Sequence, residues 1–307
     1  MRPDNPRTIL LPLLILTVLS SCSLGPKLPT GRAYIYGVTD YGGGTPNIDL
    51  AYTDDDAEAM AALFDAAGYI TNLRINAGDG SSVEPATVAQ LQADIDAFIA
   101  NAMPEELFIF YFAGHGVGSE DNTGDPPADW LILHGFYSGA PWDADHGALS
   151  DDGLATMLKT IPGSRKLVIL DSCHSGGFIG DSPFWDPVPA DSSDESDSFL
   201  EIFTETVKAY WGFSATGAED IASGNAFVLT AAGEVEKSVE TAALGHGVFT
   251  YAFLLAAEAG DLNQDGFITL KESYRYMTDN WSDIPKTTTF QPHLSGSAVD
   301  LVLFSSQ

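Results

Sequence analysis

A histidine and a cysteine each follow an apolar run with the length of a β-strand. His115 lies between two glycines directly after residues 107–113, and Cys173 lies three residues after the run at 166–170. A nearby imidazole lowers the pKa of a thiol, and the resulting thiolate attacks an amide carbonyl. The same imidazole then returns a proton to the leaving amine. If the two strands are neighbours in one sheet, these residues predict a cysteine nucleophile and a histidine base.

The residues around this pair suit the same chemistry. Glycines beside His115 and after Cys173 allow a close approach of the substrate, and the N–H groups of Gly116 and Cys173 are candidate donors to an oxyanion. His174 competes as the base, but adjacent residues normally point in different directions, which favours His115. Structural alternatives are a buried, unreactive Cys173 and a His115 that closes a turn. The other histidines show no partner pattern, and we expect surface or structural positions for His134, His146, His246 and His293.

Strand and helix patterns alternate along the chain, which is typical of βαβ units. The predicted strands cover residues 33–38, 69–75, 107–113, 166–170, 227–231 and 298–304. The predicted helices cover residues 54–67, 83–100, 150–159, 248–259 and 270–280. Segments 119–129 and 181–198, rich in Gly, Pro, Asp or Ser, predict surface loops. The long connections predict an α/β fold with about six mostly parallel strands and helices on both faces.

These motifs resemble those of the caspase and metacaspase peptidases. FYFAGHG and LDSCHSGG are similar to the histidine and cysteine motifs of that family, in the same order. The resemblance extends to AYIYGV, DDDAEAMAALF, VLTAAG, GHGVFTYAFL and QPHLSG, so it covers most of the chain from residue 33 to residue 304. It implies a three-layer caspase-like sandwich, a cysteine endopeptidase activity, and a dyad of His115 and Cys173.

Two acids lie where metacaspases have the acids of their substrate pocket. Asp171 comes two residues before Cys173, and Asp56 lies in DDDA, which resembles the Asn-Asp-Ala segment of metacaspases. Paired carboxylates bind guanidinium or ammonium groups, so the resemblance implies protein or peptide substrates cut after Arg or Lys. Ala113 departs from the family, which tends to carry a pocket serine there. Legumain-like peptidases, which cut after Asn or Asp, are the competing scheme, and an acidic pocket argues against it. Alternative roles are a helix-start acid for Asp56 and loop geometry for Asp171.

Residues 261–272 match a calcium-binding EF-hand loop. Gly266 allows the sharp turn that this loop requires, and the alternative is an acidic turn without a metal. Calcium prefers such hard oxygen ligands. The predicted ligands are the side chains of Asp261, Asn263, Asp265, Thr269 and Glu272 and the carbonyl group of Phe267.

The family resemblance also implies a second calcium site. Asp151 and Asp152, in LSDDGL, resemble the paired acids through which calcium-activated metacaspases bind the ion. Asp129 and Asp181 are candidate companions. The alternative is a pair of acids that stabilises the start of a helix. We expect calcium as the cofactor and no organic cofactor.

The first residues predict export and a lipid anchor. Arg2 and Arg7 precede an apolar run at residues 9–19, which is too short to span a membrane but typical of a signal peptide. The sequence LSSC, which ends at Cys22, resembles the bacterial lipobox. We therefore expect a signal peptide at 1–21, a lipid on Cys22, a tether at 22–32 and a peptidase domain at 33–307. The expected location is the outer membrane, the periplasm or the cell surface.

Composition limits the partners and the chemistry. A formal net charge of −30 opposes binding to nucleic acid and favours cationic partners and divalent metal ions. The chain contains two cysteines, so lipidation of Cys22 leaves one thiol and excludes a disulfide framework. Three functions stay open: a basic-residue endopeptidase tuned by calcium, a catalytically inactive calcium-binding interaction module, and another thiol enzyme such as an acyl transferase.

Overall fold

The computed structural model describes residues 28, 30–41, 49–77, 83–117, 129–137, 141–161, 165–172, 226–232, 238–285, 291–295 and 301–306. The predicted signal peptide with Cys22, the predicted nucleophile Cys173 with His174, and the loop at 181–198 lie outside the described residues. Residues 119–128 of the other predicted loop lie outside them as well.

Most of the predicted strands and helices are present, with ends that differ by one or two residues. The strands within the described ranges are β1 (Gly31–Val38), β2 (Ile70–Asn76), β3 (Leu107–Ala113), β4 (His115–Val117), β5 (Trp130–Ile132), β6 (Ala148–Ser150), β7 (Arg165–Asp171), β8 (Ala226–Thr230), β9 (Glu240–Thr241), β10 (His246–Gly247), β11 (Phe267–Thr269), β12 (His293–Ser295) and β13 (Val302–Ser305). The helices are α1 (Thr53–Ala66), α2 (Val88–Asn101), α3 (Asp151–Lys159), α4 (Val248–Ala259) and α5 (Leu270–Asp279). None of these helices has both the length and the apolar character that a membrane span requires.

Six strands form the central sheet, in the order β12-β8-β7-β3-β1-β2. All neighbouring pairs are parallel except β12 with β8. Parallel neighbours need long crossover connections, and the helices between the strands supply them. The predicted α/β fold with a mostly parallel sheet is therefore confirmed.

The sixth strand is not the one that the sequence predicted. The expectation that residues 298–304 complete the sheet is wrong, because β13 pairs antiparallel with β11 in a separate two-stranded sheet. The short β12 takes the edge position beside β8 instead. Leu303 and Phe304 are buried, which gives β13 the apolar pattern of a core strand. Burial does not specify the backbone partner, so the pattern could not distinguish the two sheets.

Alternating side chains of the central strands build two cores, one on each face of the sheet. In β3, Phe108, Phe110 and Phe112 pack on one face, and Ile109 and Tyr111 pack on the other. Helices α2 and α3 cover the first face, and α1, α4 and α5 cover the second. A strand that is buried on both faces is apolar at every position, which explains the unbroken run at 107–113. The expected three-layer arrangement is present.

Capping side chains fix where several helices begin. Thr87, Ser150 and Thr269 each accept a hydrogen bond from the N–H group three residues further along. The predicted start of α2 at residue 83 is wrong, because Val83 pairs with Ile75 in a short bridge. The helix begins only after the Thr87 cap.

The strand order reverses at β1, since β2 lies on one side of it and β3 on the other. In open parallel sheets, ligand clefts form near such a reversal, beyond the carboxyl ends of the strands. The ends of β1, β3 and β7 lie side by side at this edge, so the chain segments that follow them are brought together.

Candidate active site

The two strands that lead to His115 and Cys173 are direct neighbours. Ala113 of β3 pairs with Asp171 of β7, and the N–H of Gly114 donates to the carbonyl oxygen of Asp171 at 3.2 Å. Adjacent strands are about 4.8 Å apart. His115 and Cys173 each follow this residue pair by two positions. Cys173 itself lies outside the described residues, but the condition that the two motif strands are adjacent is met.

His115 is held by a buried tyrosine. Its N–H donates to the Tyr41 hydroxyl at 2.6 Å, and the two rings are tilted by 30° with centroids 5.0 Å apart. A Cβ on Gly114 would lie 2.5 Å from Phe112 Cζ and 3.0 Å from Tyr41 Oη, so this position has no room for a side chain. Tyr41 follows β1 at the same sheet edge, and that position is the signal that sequence reasoning missed.

Gly116, one of the predicted oxyanion donors, lies in β4 next to His115. Residue 116 pairs with Leu131 of β5, so its backbone is fixed in a small three-stranded sheet beside the central one. The oxyanion role of the Gly116 and Cys173 N–H groups stays a prediction.

The two predicted pocket acids lie together beside this strand end. Asp56 is 1% exposed and Asp171 is 6% exposed. A Cβ on Gly247 would lie 2.9 Å from Asp56 Oδ2 and 2.5 Å from Asp171 Oδ2, so both carboxylates face the same point. Residues from α1, the β3–β4 junction, β7 and the segment before α4 surround an open cleft here. Its lining residues are Leu50, Thr53, Asp56, Gly114, His115, Asp171, Ser238, Val239, Glu240 and Gly247.

Asp171 is fixed by hydroxyl and backbone donors. Ser238 Oγ donates to Oδ1 at 2.5 Å, and Thr250 donates to Oδ2 from its hydroxyl at 2.7 Å and its N–H at 3.2 Å. Because the hydroxyl proton of Thr250 is used in the bond to Asp171, the hydroxyl group of Tyr111 must donate to Thr250 Oγ1, 2.6 Å away. Burial raises the pKa of Asp171, and the hydrogen bonds from Ser238 and Thr250 oppose that rise.

Asp56 is fixed by the residues that immediately precede α4. The Gly247 N–H donates to Oδ2 at 3.0 Å, and His246 Nδ1 lies 2.7 Å from Oδ1. Burial raises the pKa of Asp56 to about 7; the hydrogen bond from His246 opposes that rise, and the nearby charge of Asp171 adds to it. The bond to Asp56 in turn raises the pKa of His246.

Sequence reasoning did not connect His246 to the site. Its partner is 190 residues away in the chain, so no local spacing links the two. His134 and His146 have the structural and surface contacts that were expected: His134 Nδ1 lies 2.9 Å from the carbonyl oxygen of Asp40, and His146 Nδ1 lies 2.6 Å from Asp143 Oδ1.

Two helix starts contribute backbone donors around the cleft. The N–H groups of Gly247 and Thr250 at the start of α4 point at the two carboxylates, and a helix N-terminus favours negative charge. At the start of α1, the N–H groups of residues 51 and 52 donate to the Glu240 carboxylate at 2.9 and 3.0 Å. Glu240 therefore adds a third acid at the rim of the cleft, which the sequence did not reveal.

Backbone N–H groups order the polar side chains of the predicted calcium loop. Asp261 Oδ1 and Asn263 Oδ1 accept from the Asp265 N–H at 3.1 and 2.9 Å, and Gly266 has a φ of +90°. Glu272 Oε1 accepts from the Asn263 N–H at 3.3 Å, which brings the last position of the loop to its beginning. An all-oxygen donor set of this kind suits calcium.

Carboxylates alone do not account for a metal ion at this loop. In the part of the chain that the structure describes, no three side chains of His, Cys, Asp or Glu are grouped closely enough to hold one. Asp261, Asp265 and Glu272, which are all described, are not grouped in this way, so calcium binding at residues 261–272 stays a prediction. Asp151 and Asp152 begin α3, and the Asp151 N–H donates to the carbonyl oxygen of Asp129 at 2.9 Å. Asp181, the other candidate companion, lies outside the described residues.

The C-terminal segment closes the calcium loop. The Ser306 hydroxyl donates to Asp261 Oδ2 at 2.7 Å, and the Ser306 N–H donates to the carbonyl oxygen of Gly266 at 3.0 Å. The neighbouring strand β13 pairs with β11, which forms positions seven to nine of the loop. β13 therefore covers one edge of β11.

Comparison with known proteins identifies metacaspases among the relatives of this chain. Metacaspase-1 of Candida albicans is 31% identical over 150 residues, which are 46% of this chain and 32% of that protein. Metacaspase-1 of Scheffersomyces stipitis is 29% identical over 170 residues, covering 54% and 39%. Metacaspase-4 of Arabidopsis thaliana is 28% identical over 134 residues, covering 39% and 29%. The matched segments span less than half the length of each of these relatives.

A solved structure and a family comparison agree with this result. The crystal structure of protein GSU0716 from Geobacter sulfurreducens has a TM-score of 0.54 at 18% identity, with coverage of 91% of this chain and 98% of that one, which supports the fold alone. The caspase domain of peptidase family C14 matches residues 30–282, more than half of the sequence. The chain therefore belongs to the caspase domain family of cysteine peptidases.

Proposed function

We propose that the protein is a cysteine endopeptidase that cleaves after Arg or Lys, with Cys173 as the nucleophile and His115 as its base. The observation that carries this proposal is the pair of buried carboxylates, Asp56 and Asp171, beside His115 at the joined ends of β3 and β7. A substrate side chain that bears an acid would meet like charges there. A basic side chain would meet two acceptors whose own positions are already fixed by donors.

The proposed reaction follows from the positions of the two motifs. His115 takes the proton of the Cys173 thiol, and the thiolate attacks the carbonyl carbon after the basic residue. The N–H groups of Gly116 and Cys173 stabilise the oxyanion. His115 then protonates the leaving amine as the C–N bond breaks, and water hydrolyses the thioester to release the new carboxylate and restore the thiol.

Covalent labelling tests this assignment. A peptidyl-Arg chloromethyl ketone is expected to alkylate Cys173, as measured by mass spectrometry, and to leave Cys173→Ala unlabelled. Asp171→Asn is expected to slow this labelling about tenfold or more, because a charge-assisted bond is lost. Iodoacetamide, which needs no pocket, should label the wild type and Asp171→Asn at similar rates. Equal labelling by a peptidyl-Asp reagent would contradict the proposed pocket, and absence of labelling would favour the inactive interaction module.

We also propose that residues 261–272 bind one calcium ion and that the ion modulates the pocket. The connection that supports modulation is α4, which is about 18 Å long and begins at the pocket acids. The helix ends at Ala259, two residues before Asp261. An ordered loop would therefore fix the last turn of α4, and Thr250 lies in the first turn of the same helix. A second calcium ion at Asp151 and Asp152 is proposed on the sequence pattern alone.

Membrane anchoring is proposed on the sequence of residues 9–22. Export followed by lipidation of Cys22 would hold the peptidase domain on a bacterial membrane through the tether. Metabolic labelling with a fatty acid is expected in the wild type and not in Cys22→Ser. Equal labelling of both proteins would contradict the anchor.

A further inference from the structure

A basic side chain of the protein is bonded to one of the two pocket acids. His246 precedes Gly247, and its Nδ1 lies 2.7 Å from Asp56 Oδ1. The His246 side chain is 24% exposed, whereas the Asp56 side chain is 1% exposed. The imidazole thus stands at the solvent side of a carboxylate that water hardly reaches.

Asp56 has physical reasons to hold a proton at neutral pH. Burial removes the water that would stabilise its charge, and Asp171 places a second carboxyl group on the same side. The bonds from His246 and from the Gly247 N–H favour the ionised form instead. Without His246, the Asp56 carboxyl would keep its proton to a higher pH. A protonated carboxyl carries no charge and is a poorer acceptor for a guanidinium group.

The surroundings of His246 favour its charged form. Helix α1 contributes Asp55 and Asp56, β7 contributes Asp171, and β9 contributes Glu240. The first ten residues of α4 carry no charged side chain. His115, at the β3–β4 junction, is the other titratable group that lines the cleft. The hydrogen bond to Asp56 and the charges of the acids around it therefore raise the pKa of His246 and favour the imidazolium form, although burial opposes that rise.

We propose that His246 is a positioning residue of the pocket, whose imidazolium makes Asp56 ionise at a lower pH, so that a basic substrate side chain meets two carboxylates over a wider pH range. This inference rests on the proposed function and adds a charge balance to it. One imidazolium offsets one of the two buried carboxylate charges and the substrate cation offsets the other, while Glu240 lies at the rim. His246 acts through Asp56 and does not itself contact the reacting atoms.

The test compares two peptide substrates that differ in charge and hardly in shape, with arginine or citrulline before the cleaved bond. The measured quantity is the ratio of their kcat/KM values between about pH 6 and about pH 9. Titration of the Cys173–His115 pair affects both substrates equally, so it cancels in the ratio. The variants are His246→Phe, which keeps a ring but has no donor, and His246→Asn, which keeps a donor but has no charge. His146→Phe is the matched control, because it removes a second His–Asp pair that lies outside the pocket.

In the wild type, we expect the preference for arginine to persist to a lower pH than in His246→Phe. Each unit by which the pKa of Asp56 rises lowers the preference about tenfold at pH values below that pKa. His246→Phe should therefore lose most of the preference at about pH 6 and regain it by about pH 9. His246→Asn should lie between the two, and it carries the test if His246→Phe does not fold. In an Asp56→Asn background, His246→Phe should have no further effect.

A preference that is unchanged in His246→Phe, that increases, or that falls equally at every pH would overturn the inference. The last result would mean that the histidine has only a structural role. If the wild type itself does not distinguish arginine from citrulline at any pH, the proposed pocket fails, and this inference fails with it. If the wild type distinguishes them and the variants follow the same pH profile, only the role of His246 is wrong.

Discussion

At the scale of single residues, the pocket depends on a position that has no side chain. In Gly247→Ala, the new Cβ would lie 2.5 Å from Asp171 Oδ2 and 2.9 Å from Asp56 Oδ2. The two carboxylates are held by their donors, so a shift of either one would break existing hydrogen bonds. We expect kcat/KM for an arginine peptide to fall about 10²-fold, because a small misplacement of groups that position the substrate can cost this much at an active site.

Ala243→Ser is the matched control for Gly247→Ala, since it changes an exposed residue of the same hairpin. Melting temperatures of both variants separate a local effect from a loss of folding. Wild-type cleavage by Gly247→Ala would mean that Asp56 and Asp171 do not form the pocket.

The burial of Asp56 also predicts how stability varies with pH. Its pKa is about 7 in the folded protein and 3.8 ordinarily. A raised pKa gives stability that is fully present below the ordinary value and is lost as the pH rises through the folded value. Between about pH 4 and about pH 7, the wild type should therefore lose more free energy of unfolding than Asp56→Asn, measured by urea titration. Parallel curves for the two proteins would contradict the shifted pKa.

Residue type and position after a strand predicted His115, and the family resemblance predicted Asp56 and Asp171; all three line the cleft. The role of Cys173 stays a prediction. Glu240 and His246 could not be predicted, because their contacts bridge 188 to 190 residues of sequence. Such contacts depend on how the segment before α4 folds against α1, which no local pattern encodes.

At the scale of elements, α4 connects the proposed pocket and the predicted calcium loop. Its first N–H groups reach the pocket acids, and its last residue precedes the calcium loop by two positions. The helix was predicted with its correct ends, because Gly247 and Gly260 bound a continuous apolar run. β12 was not predicted as part of the sheet, because three residues with one apolar side chain give no strand pattern.

Glu272→Gln separates the metal-binding role of this residue from its role in the fold. Glu272 is the third residue of α5 and forms a capping box with Thr269, and glutamine preserves such a box. The variant should therefore keep the melting temperature of the calcium-free wild type. Calcium at a hundredfold excess over its dissociation constant should raise the free energy of unfolding of the wild type by about 2.7 kcal/mol. The variant should lose this stabilisation.

Thermal melts with calcium and with a chelator measure this difference. Lys271→Gln is the matched control, because it changes an exposed neighbour that is not a predicted ligand. An equal calcium-dependent increase in Glu272→Gln would show that the loop does not use this carboxylate.

At the scale of the whole molecule, the fold brings the predicted base His115, two buried acids and the strand that precedes the predicted nucleophile to one edge of the sheet. The order of the strands makes β3 and β7 neighbours, and β1 carries the chain to α1 and Asp56 beside them. The net charge of −30 gives the molecule a general attraction for cationic substrates and calcium. In the proposed function, specificity in contrast depends on the few acids that are buried and held in place.

The most direct measurement is cleavage of four fluorogenic peptides that differ only in the residue before the bond: Arg, Lys, Asn or Asp. We predict that the wild type cleaves the Arg and Lys peptides, that the Asn and Asp peptides stay at background, and that Cys173→Ala cleaves none. With a chelator in place of calcium, the same preference should persist at a lower rate. A preference for Asn or Asp would contradict the account.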